Sequence, residues 1–491
     1  MLVAGVDSST QSTKVVLCRA EDGQVVGHGS APHPAGTECD PRAWWTALQR
    51  AGDGLLTQAA AVGVAGQQHG MIVIDDAGQV IRPALLWNDL RSADAAAALI
   101  REHGGPAWWA VHTGSVPTAS FTVTKLRWLA DHEPVSAARA AAVLLPHDWL
   151  TWRLASAADG SAGGAADPGA GSGAGAGAWP GGGGAGPVTD RGDASGTGYF
   201  SPSAGRWLPD LATGALGHPV QLPRIAGPAE IVGRTGWGAA LSAGTGDNMA
   251  AALGLGLEPG DVVVSIGTSG TAFAVSERPA ADSSGAVAGF ADAAGRFLPL
   301  VCTLNAGLVL SATAALLGAD LAGLSSLALA ASPGAGGITL LPYLDGERTP
   351  DRPAATGVLR GLTTRNMTRE NLARSAVEAV LASLAEAADL LAAAGVERKR
   401  VLLIGGGAQS EAVCRIAPGL LRCAVVVPEP GQYVAMGAAR QAAWALAGTQ
   451  APPPWPRRPA ACYDGAPQPG LRQRYASLRE DTSRWEERTS P

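Results

Sequence analysis

Two apolar runs bracketing a hydroxyl-rich turn open the chain, and the same pattern returns past residue 260. The first is LVAGVD (2–7), SSTQST (8–13) and KVVLC (14–18); the second is DVVVSIG (261–267), TSGT (268–271) and AFAV (272–275). Apolar runs of strand length around a short polar turn predict a β-hairpin each time. A hairpin at the head of each half predicts two sheets of similar design, although unrelated hairpins would read alike. The chain has 491 residues, more than one ordinary core accommodates, so two or three domains are expected.

Charge and cysteine usage remove several function classes. Thirty-six Lys and Arg against 42 Asp and Glu leave a net charge of −6, which offers no global field for nucleic acid or an anionic membrane. Cysteines 18, 39, 302, 414, 423 and 462 form no CxxC pair and no zinc spacing, so reduced, cytoplasmic thiols are expected. The first twenty residues lack a basic segment followed by a long apolar one, and no apolar run reaches bilayer length, which predicts a soluble, unexported protein. Lysine occurs only at positions 14, 125 and 399, never between glycine and a hydroxyl residue, so a Walker A loop is absent. The protein kinase motif set is missing too. Any ATP must be held by another fold.

AVGVAGQQHGMIVID (61–75) reads as strand, turn, strand. Residues 371–395 predict a helix with Leu372, Val377, Val380, Leu381, Leu384 and Leu391 on one face and Gly395 as its stop. The strand VLLIGGG (401–407) follows, giving helices layered on a sheet. Of the 33 positions 155–187, 13 are glycine and 11 alanine, a composition that predicts a disordered surface insertion. The tail opens with APPPWPRRP and carries Tyr475, Leu478 and Trp485, which predict packing across the back of a domain. The expected division is 1–242, 243–449 and a tail, 450–491.

Asp7 ends the first strand and precedes a turn of hydroxyls; such a turn aims donors at phosphate oxygens while the carboxylate holds magnesium through water. A solvated hairpin tip would have the same composition. SIGTSGT has similar character, with Gly267 and Gly270 permitting close approach. The two turns together describe a cleft closing on a triphosphate. In AGTGDNMAAALG (243–254), Asp247 stands at a helix start, where a carboxylate usually caps. Its place ahead of the second hairpin also suits a base on a cleft floor, and an unperturbed aspartate is already ionised at neutral pH. GQQHG (66–70) presents Gln67, Gln68 and His69, groups suited to a polyol or to a merely structural turn, and WNDLR (87–91) adds polar groups. GGGAQS (405–410) does not complete GxGxxG and lacks a partner acid, which argues against a dehydrogenase.

In order, GVDSSTQSTKVVL, GQQHG, WNDLR, TVTKLRWLADHEP, TDRGDASGTGYF, GTGDN, SIGTSGT, GVLRGLTTRNMTRENLARSAVEAV and GGGAQS resemble the FGGY carbohydrate kinases, and among them most closely the xylulokinases. The resemblance runs from residue 2 to about 447, and two stretches, Ser120–His132 around Lys125 and Trp128 and Gly357–Glu378, fit the family's signature patterns. It implies an α/β fold of two actin-like (ribonuclease H-like) ATPase domains around a central cleft, sugar mainly in the first and ATP mainly in the second. It implies ATP with Mg2+, Asp247 as general base and Asp7 as the acid that orients the metal. Thr10, Gln11 and Lys14 fall in the first phosphate motif, Thr268 and Ser269 in the second, and Gly406, Gly407 and Ala408 in the adenosine motif. Gln68, His69 and Asn248 fall where the ketose is held, Gln68 standing where the family motif carries methionine. The implied reaction converts D-xylulose to D-xylulose 5-phosphate, with relatives often homodimers. The rival readings are a kinase for ribulose, another ketose, a polyol or a sugar acid, and a non-catalytic sugar or nucleotide sensor. The intact Asp7 and Asp247 argue against the sensor, since a pure binder has no use for a base.

Overall fold

The computed structural model describes residues 1–156, 179–180, 186–456 and 459–489, with side chains to residue 484. The first predicted hairpin is β1 (Leu2–Ser8) and β2 (Ser12–Arg19), continued by β3 (Val25–Pro32) and joined by β4 (Ala61–Gly66), β5 (Ile231–Arg234), β6 (Ala240–Ser242) and β7 (Thr245–Gly246). The sheet order is β5-β6-β4-β1-β2-β3, with β7 also on β4. The second hairpin is β8 (Asp261–Ile266) and β9 (Gly270–Ala274), in a sheet with β10 (Ala288–Ala291), β11 (Phe297–Thr303), β12 (Arg400–Ile404), β13 (Val425–Pro428) and β14 (Pro459–Tyr463). Its order is β10-β11-β9-β8-β12-β13-β14.

Strand direction shows the two sheets to be one design used twice. From β3 through β2, β1, β4 and β6 to β5 the pairings run antiparallel, antiparallel, parallel, parallel, antiparallel. From β11 through β9, β8, β12 and β13 to β14 they run in the same succession. The doubled pattern of the sequence is therefore a doubled topology, as in actin-like ATPase folds. Central strands of such sheets are buried on both faces. In β8, Val262, Val264 and Ile266 face α7 (Arg369–Ala393) while Val263 faces the opposite core.

Two helices tie the lobes together. The helix α4 (Asp247–Leu255) leads out of the first sheet, and α9 (Tyr433–Ala447) returns from the second to pack on α4, β1 and β4. The approach is backbone to backbone: a Cβ on Gly5 would stand 1.8 Å from the Ala435 carbonyl oxygen, and one on Gly437 1.8 Å from that of Ala250. Ala435, Ala439 and Ala442 fill the contact with Val3 and Val16.

Several expectations need correction. The boundary at 242/243 falls between β6 and β7, both partners of β4, so the first lobe runs to Gly246. The tail does pack as expected, α10 (Pro469–Thr489) burying Tyr475 and Leu478 beside Ala379 and Ala382 of α7, but it also adds β14 as the outer strand of the second sheet, and Trp455 donates its indole N–H to the Ala20 carbonyl at 3.0 Å. The Trp485 side chain lies outside the described residues, as does most of the insertion. Ala155 and Ser156 instead close α3 (Pro146–Ser156), and Trp179 packs on the first lobe's core. The helix α7 is not amphipathic as expected, because strands and helices of the second lobe surround it; residues 373–385 are all buried, with Leu372 partly exposed. No single helix among the described residues is long and apolar enough to cross a membrane; the apolar pair α5 (Gly307–Leu316) and α6 (Leu321–Ala330), bent by 84°, packs on α7.

Candidate active site

Both hairpin turns and the start of α4 border one cavity of about 290 Å³. From the first lobe come Thr10, Gln68, His69, Trp87 and Phe121, from the second Ser265, Gly267, Ser269, Phe290 and Arg348, with Asp247 and Asn248 between them. Trp87, the first residue of WNDLR, donates its indole N–H to Thr10 Oγ1 at 2.8 Å and so ties down the first hydroxyl turn.

Asp247 is the first residue of α4, and its Oδ1 accepts from the Asn248 backbone at 2.8 Å and from Asn248 Nδ2 at 3.0 Å. Burial, then the charges of Asp7 and Asp193, push its carboxyl up to about 7. The expectation of an unperturbed aspartate is thus overturned, because in the free protein it is ionised only in part at neutral pH. Asp7 is buried at the end of β1, bonded by the Ser9 hydroxyl, with Lys14 Nζ at 3.7 Å. Burial pushes its pKa up, against the opposing pull of Ser9 and Lys14.

Asn248 Nδ2 also donates to Gln68 Oε1 at 3.0 Å, leaving Gln68 Nε2 buried with no partner among the described residues. His69 follows with φ 66°, a left-handed conformation that a side chain adopts only when its surroundings enforce it. The enforcing groups are Lys125 Nζ, which donates to the His69 carbonyl at 2.9 Å, and Thr122 Oγ1 at 3.2 Å. Lys125 is wholly buried, which pushes it down to about 7 while Asp89 favours its charge. His69 Nδ1 lies 2.6 Å from the Gly196 carbonyl and so carries the proton. Burial pushes the ring down to about 3, which keeps it neutral with Nε2 as an acceptor, between Phe121 and Phe290.

Other expected residues stand apart from the cavity. Gln11 is exposed, and its carbonyl accepts from the His33 backbone; Lys14 is half-buried on Asp7. Thr268 is exposed at the tip of the second turn, whose Gly267 and Thr268 carbonyls accept from Gly307 and Leu308 at 2.9 and 3.1 Å. Gly406, Gly407 and Ala408 follow β12, where a Cβ on Gly407 would meet Ile266 Cγ2 at 2.3 Å. Ala408 points into the core, so its backbone alone is free to serve a ligand.

Two supporting constellations have no counterpart in the sequence reading. Gln441 of α9, wholly buried, clamps the segment ahead of Asp247: its Oε1 accepts from Gly244 N at 2.9 Å and Ser242 Oγ at 3.1 Å, and its Nε2 donates to the Gly244 carbonyl at 3.1 Å. Behind that segment, His147 Nδ1 lies 2.6 Å from Asp193 and Nε2 3.3 Å from Asp148, while Asp190 accepts from Thr245 Oγ1 at 2.8 Å. Its acidic neighbours outweigh burial and push His147 up to about 9, so it is the cation that balances them. The motif TDRGDASG contains Asp190 and Asp193 but says nothing of His147. A glutamine inside an alanine-rich helix carries no signal at all.

A cleft between duplicated lobes, with phosphate-type turns on its walls and a carboxylate at the crossing helix, defines an actin-like small-molecule kinase. The chain belongs to the FGGY family of carbohydrate kinases: residues 2–166 match its N-terminal domain and 262–446 its C-terminal domain. It is 46% identical over 467 residues to a xylulose kinase of Streptomyces coelicolor, covering 92% of this chain and 89% of that one, and 45% identical to one of Streptomyces rubiginosus, covering 91% and 88%. The crystal structure of xylulose kinase from Bifidobacterium adolescentis superposes with a TM-score of 0.86 at 42% identity, covering 98% of this chain and 99% of that one. At 17% identity a Plasmodium falciparum glycerol kinase with ADP still gives 0.81, which shows the breadth of the fold.

Proposed function

We propose that this protein transfers the terminal phosphoryl group of ATP to the end hydroxyl of D-xylulose, giving D-xylulose 5-phosphate and ADP. The observation that carries the reading is the join of Asp247 to Asn248 and Gln68 in a cavity shared with His69 and both hydroxyl turns. Its Streptomyces relatives carry the same activity in their names.

Gln68 Nε2, His69 Nε2 and the Asn248 amide offer one donor, one acceptor and a bridging group to the hydroxyls of a neutral sugar. Asp247 takes the proton of the attacking hydroxyl, and its raised pKa makes it a stronger base than an ordinary carboxylate. The turns at Thr10 and at Thr268–Ser269 receive the phosphates, and the backbone of Gly406–Ala408 the adenosine. Sugar binding thus falls mainly to residues up to Gly246 and nucleotide binding mainly to the second lobe, whose approach excludes water.

Asp7 fits a magnesium ion, being a buried hard-oxygen donor whose ionised form lacks full compensation from Ser9 and Lys14. The ion would supply neutralisation of phosphate charge. We place the protein in the cytoplasm, in keeping with six free cysteines; the homodimer is the arrangement that the resemblance favours. An ADP-release assay over ketoses, polyols and sugar acids tests the assignment: the fastest rate is expected on D-xylulose, and a dominant rate on any other substrate overturns it.

A further inference from the structure

The segment after β11 returns to the cleft at residues 344–349 on a braced turn. Glu347, 1% exposed, accepts through Oε1 from Leu304 N at 2.6 Å and Arg348 N at 2.8 Å, and through Oε2 from Asn305 Nδ2 at 3.0 Å. Asn305, equally buried, donates to the Gly346 carbonyl at 2.7 Å and accepts from Leu344 N at 3.0 Å. Glu347 and Arg352 exchange backbone hydrogen bonds at 2.9 and 2.8 Å. Gly346 at φ 77° has no room for a side chain, since its Cβ would lie 2.4 Å from the Pro353 carbonyl oxygen. So much buried polar bonding fixes one position: that of Arg348.

Arg348 lines the cavity with Asp247, His69, Thr10 and Ser269, and its guanidinium forms no hydrogen bond or ion pair with any described residue. Among the described lining residues it is the one fixed cation, because His69 is neutral there. Its charge is felt at His69, where it adds to burial in lowering the pKa, and at Cys302, where burial raises the pKa and the guanidinium pulls against it. The Asp247 carboxyl answers chiefly to burial and to the charges of Asp7 and Asp193, so the guanidinium is not its counter-ion. A planar fork of donors left without a carboxylate is suited to a tetrahedral oxyanion. The sugar is neutral, and the anion that must pass between the two turns and Asp247 is the phosphoryl group.

We infer that Arg348 is a further catalytic residue, donating hydrogen bonds to the oxygens of the phosphoryl group as it moves to the sugar hydroxyl. This rests on the kinase reading above. Charge spreads over those oxygens in the transition state, so the contact is strongest there and acts on kcat.

The test uses Arg348→Ala, Arg348→Gln and Arg348→Lys in the full chain, each first checked for a wild-type melting profile, on whichever sugar the wild type turns over fastest. Arg348→Ala is expected to lower kcat by about 10²-fold or more with the sugar KM changed less than about threefold; Arg348→Lys falls between, and added ethylguanidinium restores part of the loss to Arg348→Ala. Unchanged kcat in all three overturns the inference, as does a raised sugar KM at intact kcat, which would make Arg348 a sugar contact. A 31P NMR titration with inorganic phosphate reads the anion site without turnover: binding in the wild type and its loss in Arg348→Ala are expected, and equal spectra for both overturn the inference while leaving the kinase assignment to the substrate panel.

Discussion

Asp247→Asn should remove activity and yet stabilise the ligand-free protein, by an amount that depends on pH. The carboxyl is pushed from 3.8 to about 7 by burial, Asp7 and Asp193. At about 1.36 kcal/mol per pKa unit, ionising it in the folded chain costs about 4 kcal/mol. Below pH 3.8 the group is protonated in both states and the cost vanishes. Between 3.8 and 7 the unfolded state ionises while the folded state holds its proton, so wild-type stability falls as pH rises; above 7 the loss is complete. Asparagine keeps the acceptor for the Asn248 backbone and never ionises. An unfolding entropy of about 2.1 cal/mol/K per residue gives about 1 kcal/mol/K for a chain of this size, so the variant should melt about 2 °C higher at pH 5 and about 4 °C higher at pH 8. Differential scanning calorimetry without nucleotide or divalent cation reads the difference. A gap that does not grow with pH, or a variant less stable than wild type at pH 8, refutes the electrostatic account.

Gln441→Leu should leave the Gly244 N–H and carbonyl unpaired in the interior, costing about 2 to 4 kcal/mol, and should lower kcat more than it raises KM because the strand ahead of Asp247 loses its clamp. Urea unfolding and steady-state kinetics read the two effects. Deleting residues 157–178 should leave kcat/KM within about threefold, since their glycine and alanine offer little chemistry; a large fall would show a working element there.

The parts of the fold that local pattern dictates were legible. Alternating apolar runs around SSTQST and TSGT announce hairpins, and the second copy anticipates the duplicated topology. Gly395 does stop α7, at φ 93°. What local pattern missed depends on contacts between distant segments. Gln441 meets Gly244 across 197 residues, and His147 meets Asp193 across 46. Arg348 looks like any surface arginine until Glu347 and Asn305 are seen to hold its turn. Burial changed one reading for the same reason, moving Asp247 out of the ordinary carboxylate range, and it turns the Ala408 methyl into the core so that only backbone is left to face a ligand there.

The central claim is that Asp247 receives the proton of the sugar hydroxyl. The pH dependence of kcat/KM for D-xylulose reports the free enzyme, in which that carboxyl titrates near 7. The wild type should therefore gain activity through neutral pH and level off above it, while Asp247→Asn should be at least about 10²-fold slower and flat across the range. A variant that keeps the wild-type rise, or a rate close to wild type, contradicts the claim.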